Sequence, residues 1–196
     1  MTRKTPLLAA LPLLMLFGCA DGTPPAAPPM DPAVVLAMGD SIARQAQQTL
    51  MRNVAMAMQE GGPAHAVAFC NTRAVPLTDS MATLYGVPLQ RLSDRNRNPG
   101  NAIATDADRE AWKRIGEGKQ PFVVQRADGG AWYYKPIFIA MPTCLKCHGG
   151  AEDIAAETQA VLAERYPADK AAGYKEGDLR GFWKIGFQPK RTGKHY

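Results

Sequence analysis

A chain of 196 residues, 46% of them hydrophobic, has room to bury one domain core but hardly two. Removing Arg3 and Lys4 as part of a processing segment leaves 21 of the 23 basic residues against 18 acidic ones, so a formal charge of +5 becomes +3. That balance is too mild to point to nucleic acid as a partner, and no apolar run is long enough to span a membrane.

Residues 1–18 read as a lipoprotein signal peptide, with Arg3 and Lys4 as the positive region and Leu7 to Phe17 as the apolar region. Leu16-Phe17-Gly18-Cys19 has the form of a lipobox, which predicts acylation of Cys19 and a lipid anchor. The plainer alternative is a free cysteine behind an ordinary signal peptide. Residues 19–32 contain Pro24, Pro25, Pro28, Pro29 and Pro32 among small residues, a composition suited to an extended tether. A domain over 33–190 and a tail over 191–196 complete the division.

Asp31 stands in an N-cap position with Pro32 in the first turn. Val35, Met38, Ile42, Ala46, Leu50 and Val54 then recur at three- and four-residue steps, predicting a long amphipathic helix that ends near Gly61-Gly62. Met38, Met51, Met56 and Met58 are read first as core filling. Pro63 opens a shorter helix that puts Val67, Cys70 and Ala74 on one face and stops at Pro76. Tyr85 to Leu92 is strand-like and runs into the loop Arg91 to Asn101, after which Thr105 caps a third helix with Trp112 and Ile115 inward. Pro121 to Arg126 and Trp132 to Ala140 form a hairpin about Asp128-Gly129-Gly130. Ile154 to Tyr166 is helical by period, Pro167 to Asp178 is turn-rich, and Leu179 to Gln188 alternates as a closing strand. Helices first, then strands with helices between them, indicate an α+β fold around an antiparallel sheet.

Cys144-Leu145-Lys146-Cys147-His148 follows the hairpin. Two thiols at this spacing reach the two vinyl groups of one porphyrin while the next imidazole meets the iron, so the run is a signature for one covalently attached haem c. Export to an oxidising compartment agrees with that chemistry. A zinc knuckle would need four protein ligands, and a thioredoxin-like pair would not need His148.

Assigning Cys19 to lipid and Cys144 and Cys147 to haem leaves Cys70 without an intramolecular partner. The second axial position is open among Cys70, His65, His195 and the methionines. Each implies a different site: a thiolate favours ferric iron, methionine is typical of electron carriers, and a second histidine of many low-potential haems. His195 adjoins the C-terminus and is the weakest of these. Arg91, Arg95 and Arg97 share one loop with Asn96, Asn98 and Asn101. A guanidinium binds a carboxylate in a two-bond fork, so Arg95 and Arg97 are candidates to seat haem propionates, the alternative being a solvated basic turn.

Several separated motifs resemble those of a bacterial c-type haem family whose domain is like a PAS sensor, often catalogued as a domain of unknown function. They are Ala68-Phe69-Cys70-Asn71, Arg95 to Asn101, Tyr134-Lys135-Pro136-Ile137, Cys144 to Gly149, Tyr166 to Tyr174 and Gly177 to Gly181, in the family's order over roughly residues 35 to 190. The resemblance implies a PAS-like antiparallel sheet with flanking helices and a long N-terminal helix. It also implies iron held by His148 and by Cys70. Ala102-Ile103-Ala104-Thr105 departs from the family by lacking a proline before the third helix.

The expectation for function is a non-enzymatic redox or small-ligand sensor at the periplasmic face of a bacterial membrane, acting through an unidentified redox or signalling protein. Ala20 and Asp21 leave the choice of inner or outer membrane open. An electron-transfer cytochrome c is the main rival, and a haem peroxidase, which needs an open distal position, is the weaker one.

Overall fold

The structure, a computed structural model, describes residues 28–189. The signal segment, Cys19, most of the tether and His195 lie outside the described residues. No described helix is long and apolar enough to cross a membrane.

Helix α1 spans Pro32–Tyr85 and is broken by Gly61 and Gly62 into two arms. Asp31 caps it as expected, its carboxylate accepting from the Ala33 amide at 2.8 Å. Gly62 sits at φ 70°, a backbone conformation that side chains with a Cβ rarely adopt, and this residue lets the chain double back. The Tyr85 hydroxyl reaches Gln45 Oε1 at 2.5 Å, so the arms lie side by side. The second arm runs on through Pro76 to Tyr85, which corrects the expectation of a stop at Pro76 and of a strand beginning at Tyr85. A proline inside a helix costs one backbone bond, here the one that would reach the Thr72 carbonyl, without ending the helix. Met81, Ala82 and Tyr85 also pack on the main core, so tertiary contact outweighs the local break. Gly86 then closes the helix.

Strand β1 (Leu89–Leu92) leads through a 3-10 turn at Pro99–Asn101 to helix α2 (Asp106–Gly118). Thr105 Oγ1 caps α2 by accepting from the Asp108 amide at 3.1 Å. Where the family's proline is missing, the path is held by the Ser93 amide donating to the Asn101 carbonyl at 2.9 Å and by a parallel bridge between Ser93 and Ala102. Strands β2 (Phe122–Gln125) and β3 (Ala131–Phe138) form the expected hairpin. Helices α3 (Pro142–His148) and α4 (Ala156–Arg165) follow, and β4 (Leu179–Phe187) closes the sheet in the order β1-β4-β3-β2, antiparallel throughout.

Both faces of β4 are covered. Trp183, Ile185 and Phe187 join Tyr133 and Ala131 under Val35, Ile42, Ala43 and Ala46 of the first arm. On the other side Phe182 packs with Tyr134, Phe122 and Leu92 against Ala111 and Ile115 of α2. Lys184 faces α2 as well and pairs with Asp108 at 2.7 Å, with both side chains almost fully buried. The first arm comes so close to the sheet that a Cβ on Gly39 would lie 2.3 Å from the Tyr133 ring. The result is the α+β, PAS-like arrangement the sequence indicates, with the long connection from β3 to β4 carrying the cysteine motif.

Candidate functional site

Pro142 starts α3 in its first turn, and the helix places Cys144 and Cys147 one turn apart on the same side. Both thiols are free and partly buried. His148 ends the helix, and the segment Ala171 to Tyr174 folds back over it. The Gly173 and Tyr174 amides donate to the Gly149 and His148 carbonyls at 2.6 and 2.9 Å. His148 Nδ1 lies 2.8 Å from the Ala171 carbonyl, a bond in which the ring must donate, and Tyr174 stands edge-on to the imidazole at 6.3 Å. That bond fixes the tautomer and leaves Nε2 with a free lone pair. Desolvation of the imidazole, reinforced by the Arg97 and Arg180 guanidiniums, holds His148 well below the usual histidine range and therefore neutral.

A cavity of about 480 Å³ opens beside this helix, within the size range of small-molecule and cofactor pockets. His148, Cys144, Cys147 and Cys70 all line it. Leu50, Met51, Val54 and Met58 from the first arm of α1 and Ala66 and Val67 from the second form much of its apolar wall. The break at Gly61-Gly62 is thus what turns two helical faces toward one space. Cys70 lies one turn beyond Val67 on the second arm. Burial pushes its thiol up from the ordinary range, while Arg91 and Arg97 oppose that shift. Burial likewise pushes the Cys147 thiol up to about 11. Among the described residues no three or more His, Cys, Asp or Glu gather closely enough to hold a metal ion by themselves, so these four side chains do not form a zinc knuckle.

The other candidates separate. His65 is exposed on the second arm, 3.5 Å from Glu60, and is not part of the cavity wall. Met38 and Met56 are exposed and Met51 and Met58 line the cavity together with Met141, which corrects the reading of Met38, Met51, Met56 and Met58 as core filling, since none of the four joins a hydrophobic cluster. Arg97 lines the cavity, but its guanidinium is committed elsewhere. It grips Asp169 through Nε at 3.1 Å and Nη2 at 2.9 Å, and donates to the Cys147 and Ala171 carbonyls at 2.6 and 3.2 Å. Arg95 lies outside the wall, stacked 4.1 Å over Tyr174 and bonded to the Lys170 and Ala172 carbonyls. Both arginines fasten the segment that clasps His148. Asp169, Ala171 and Tyr174, which sequence reasoning quoted without a role, are the other half of that clasp.

An α+β protein with a cysteine- and histidine-lined cavity between a helical hairpin and a Cys-x-x-Cys-His helix is the class these features define. Residues 32–187 match the Tll0287-like family (Tll0287), and the chain belongs to it. Among solved structures it is similar to the crystal structure of the cyanobacterial heme-protein Tll0287, at 24% identity and a TM-score of 0.61, over 82% of this chain and 98% of that one. That likeness shows a shared fold. No curated protein matches the chain.

Proposed function

We propose that this protein is a lipid-anchored periplasmic redox or small-ligand sensor carrying one covalent haem c, with His148 and Cys70 as axial ligands. The observation that carries the reading is the convergence of His148, Cys144, Cys147 and Cys70 on one apolar cavity. The residues fit the group: two thiols share a helix side, a neutral imidazole has its Nδ1 already bonded, and the broad faces of the space are hydrocarbon. The family's haem-protein neighbour supports the same cofactor.

When bound, haem supplies a one-electron couple at iron. Cys144 and Cys147 would hold the group covalently as thioethers, and His148 and Cys70 would hold its iron. The Ala171 carbonyl aims His148, and Arg97 and Asp169 hold that carbonyl in place. Apolar side chains from both arms of α1 would pack on the faces of the group. Cys70 is the residue positioned to change state, because a thiolate is a strong ligand to iron and a neutral thiol a weak one. It stands next to Asn71, whose amide donates to the Arg165 carbonyl at 3.2 Å, and close to Val67, which packs on Ile154, Leu162 and Tyr166. Release of Cys70 would therefore be felt by the second arm and α4 together. No catalytic residue is part of this reading.

Replacing Cys70 by Ser and recording visible spectra in both oxidation states tests it. The oxidised spectrum should change strongly and the reduced one less; identical spectra would remove Cys70 from the iron. A second reading, an electron carrier with a methionine ligand, is favoured by Met51, Met58 and Met141 in the cavity wall. In that case Met51→Ala, Met58→Ala or Met141→Ala, rather than Cys70→Ser, would alter the spectrum.

A further inference from the structure

Arg97 has a carboxylate partner; Arg91 and Arg180 do not. Arg91 lies in β1 and Arg180 in β4, on paired strands whose ends meet near the cavity. Arg91 donates through Nη2 to the Ala74 carbonyl at 3.4 Å and lies 5.7 Å from the Trp183 ring centroid. Arg180 donates through Nη1 to Ser93 Oγ at 3.1 Å and to the Arg95 carbonyl at 3.2 Å, and lies 5.5 Å from the Tyr174 ring centroid. The Nε of each is buried and has no hydrogen-bond partner. Among the described residues neither guanidinium forms an ion pair with a carboxylate, and burying unpaired charge is costly.

A smaller cavity of about 150 Å³ lies between them. Ser93, Asn96 and Asn101 line it with the two arginines, and no acidic side chain does. It shares Met51, Arg91, Cys144 and His148 with the large cavity, so the two adjoin at the attachment helix. A ligand filling the large cavity and carrying carboxylates at one edge would place them here. A porphyrin is such a ligand, with thioether positions on part of its rim and two propionates elsewhere on it.

We propose that Arg91 and Arg180 form the carboxylate seat of this site, receiving the propionates of the haem, with Asn96 and Asn101 as neutral donors beside them. The inference rests on the haem reading above. It moves the propionate role from Arg95 and Arg97, which fasten the His148 clasp, to a pair separated by most of the domain's sequence.

The test uses the haem-loaded full chain and its Arg91→Gln, Arg180→Gln and double variants. Three readouts apply: resonance Raman propionate-bending bands, the midpoint potential from pH 5 to 8, and the axial-ligand bands of the visible spectrum. The proposal expects shifted propionate bands, a lower potential and a new pH-dependent segment as propionates lose their cationic partners, with axial-ligand bands unchanged in Arg180→Gln, whose charge is not among those acting on Cys70. Arg91→Lys and Arg180→Lys keep charge and stem but lose the fork, and should show the band shift with a smaller fall in potential, a result available even where the Gln variants fail to mature. Unchanged propionate bands and potential in haem-bearing variants would overturn the seat and leave the haem reading standing. Absence of haem c in the wild type, by pyridine haemochrome, would overturn both. Inorganic phosphate added to the wild type should leave bands and potential unmoved; a saturable shift that Arg91→Gln abolishes would show a free-anion site and overturn the assignment to propionates.

Discussion

Where the first arm of α1 crosses the sheet, apolar side chains interlock and the polar ones between them are paired. Trp183 Nε1 donates to Gln47 Oε1 at 3.1 Å, Tyr133 donates to Asp40 at 3.2 Å, and Lys135 pairs with the same carboxylate. Farther along the same arm, Leu50, Met51, Val54 and Met58 meet open space, and across it stand free thiols, a neutral imidazole and the Arg91 guanidinium with its unpartnered Nε, while Arg180, likewise unpartnered at Nε, lines the smaller cavity alongside. One helix thus serves a region that its own residues complete and a region that they do not. Buried polar groups without partners in a native fold call for an explanation, and the proposed haem would engage the ones gathered here: the His148 imidazole, the thiols and the two guanidiniums.

The contrast can be broken most severely at the open end. Cys144→Ser with Cys147→Ser should abolish covalent haem completely, seen as loss of the haem stain on a denaturing gel, while far-ultraviolet circular dichroism keeps the signal of the sheet region. Trp183→Ala attacks the closed end instead. Its side chain is 2% exposed, and the loss should cost about 3–5 kcal/mol in urea unfolding of the haem-loaded protein. Gly39→Ala drives a methyl into the Tyr133 ring and should cost about 1–3 kcal/mol while leaving the visible spectrum unchanged, since Gly39 is remote from the cavity wall. The smallest effect is at Asp40. The Lys135 hydrogen bond, opposed by burial and helped by the Lys135 charge, holds its carboxyl below the usual range. A depressed carboxylate contributes stability that is full above its unfolded value of about 3.9 and is lost as pH falls through and below it. Asp40→Asn should remove that acid-side slope and cost under about 1 kcal/mol at pH 7, measured by unfolding at a series of pH values.

The same division governs what could be read from the sequence. Contacts that are local along the chain are legible: the Asp31-Pro32 and Thr105 caps, the Asp128-Gly129-Gly130 turn and the spacing of Cys144, Cys147 and His148 appear as expected. The alternation of Trp183, Ile185 and Phe187 marks one face of β4, though the burial of Phe182 and Lys184 on the other depends on α2, many residues upstream. The second arm continues past Pro76 because packing against the sheet outweighs a local propensity, and no window of sequence around Pro76 contains that packing. Charge partners are the least legible. Arg97 and Asp169 are 72 positions apart, and Arg91 meets the neighbourhood of Arg180 only because β1 pairs with β4. Composition groups Arg91, Arg95 and Arg97 in one loop; folding sets Arg91 in the wall of both cavities and ties Arg95 and Arg97 into the clasp.

In the function proposed, one cavity holds haem between His148 and Cys70. The decisive experiment is the low-temperature electron paramagnetic resonance spectrum of the oxidised protein, matured with haem c and expressed without Cys19, the residue proposed to carry a lipid. Ligation by His148 and Cys70 predicts a low-spin signal with the narrow anisotropy of a thiolate, lost in Cys70→Ser. A bis-nitrogen or histidine–methionine signal in the wild type would contradict it and favour the electron carrier, while a high-spin signal would mean that no side chain fills the sixth position.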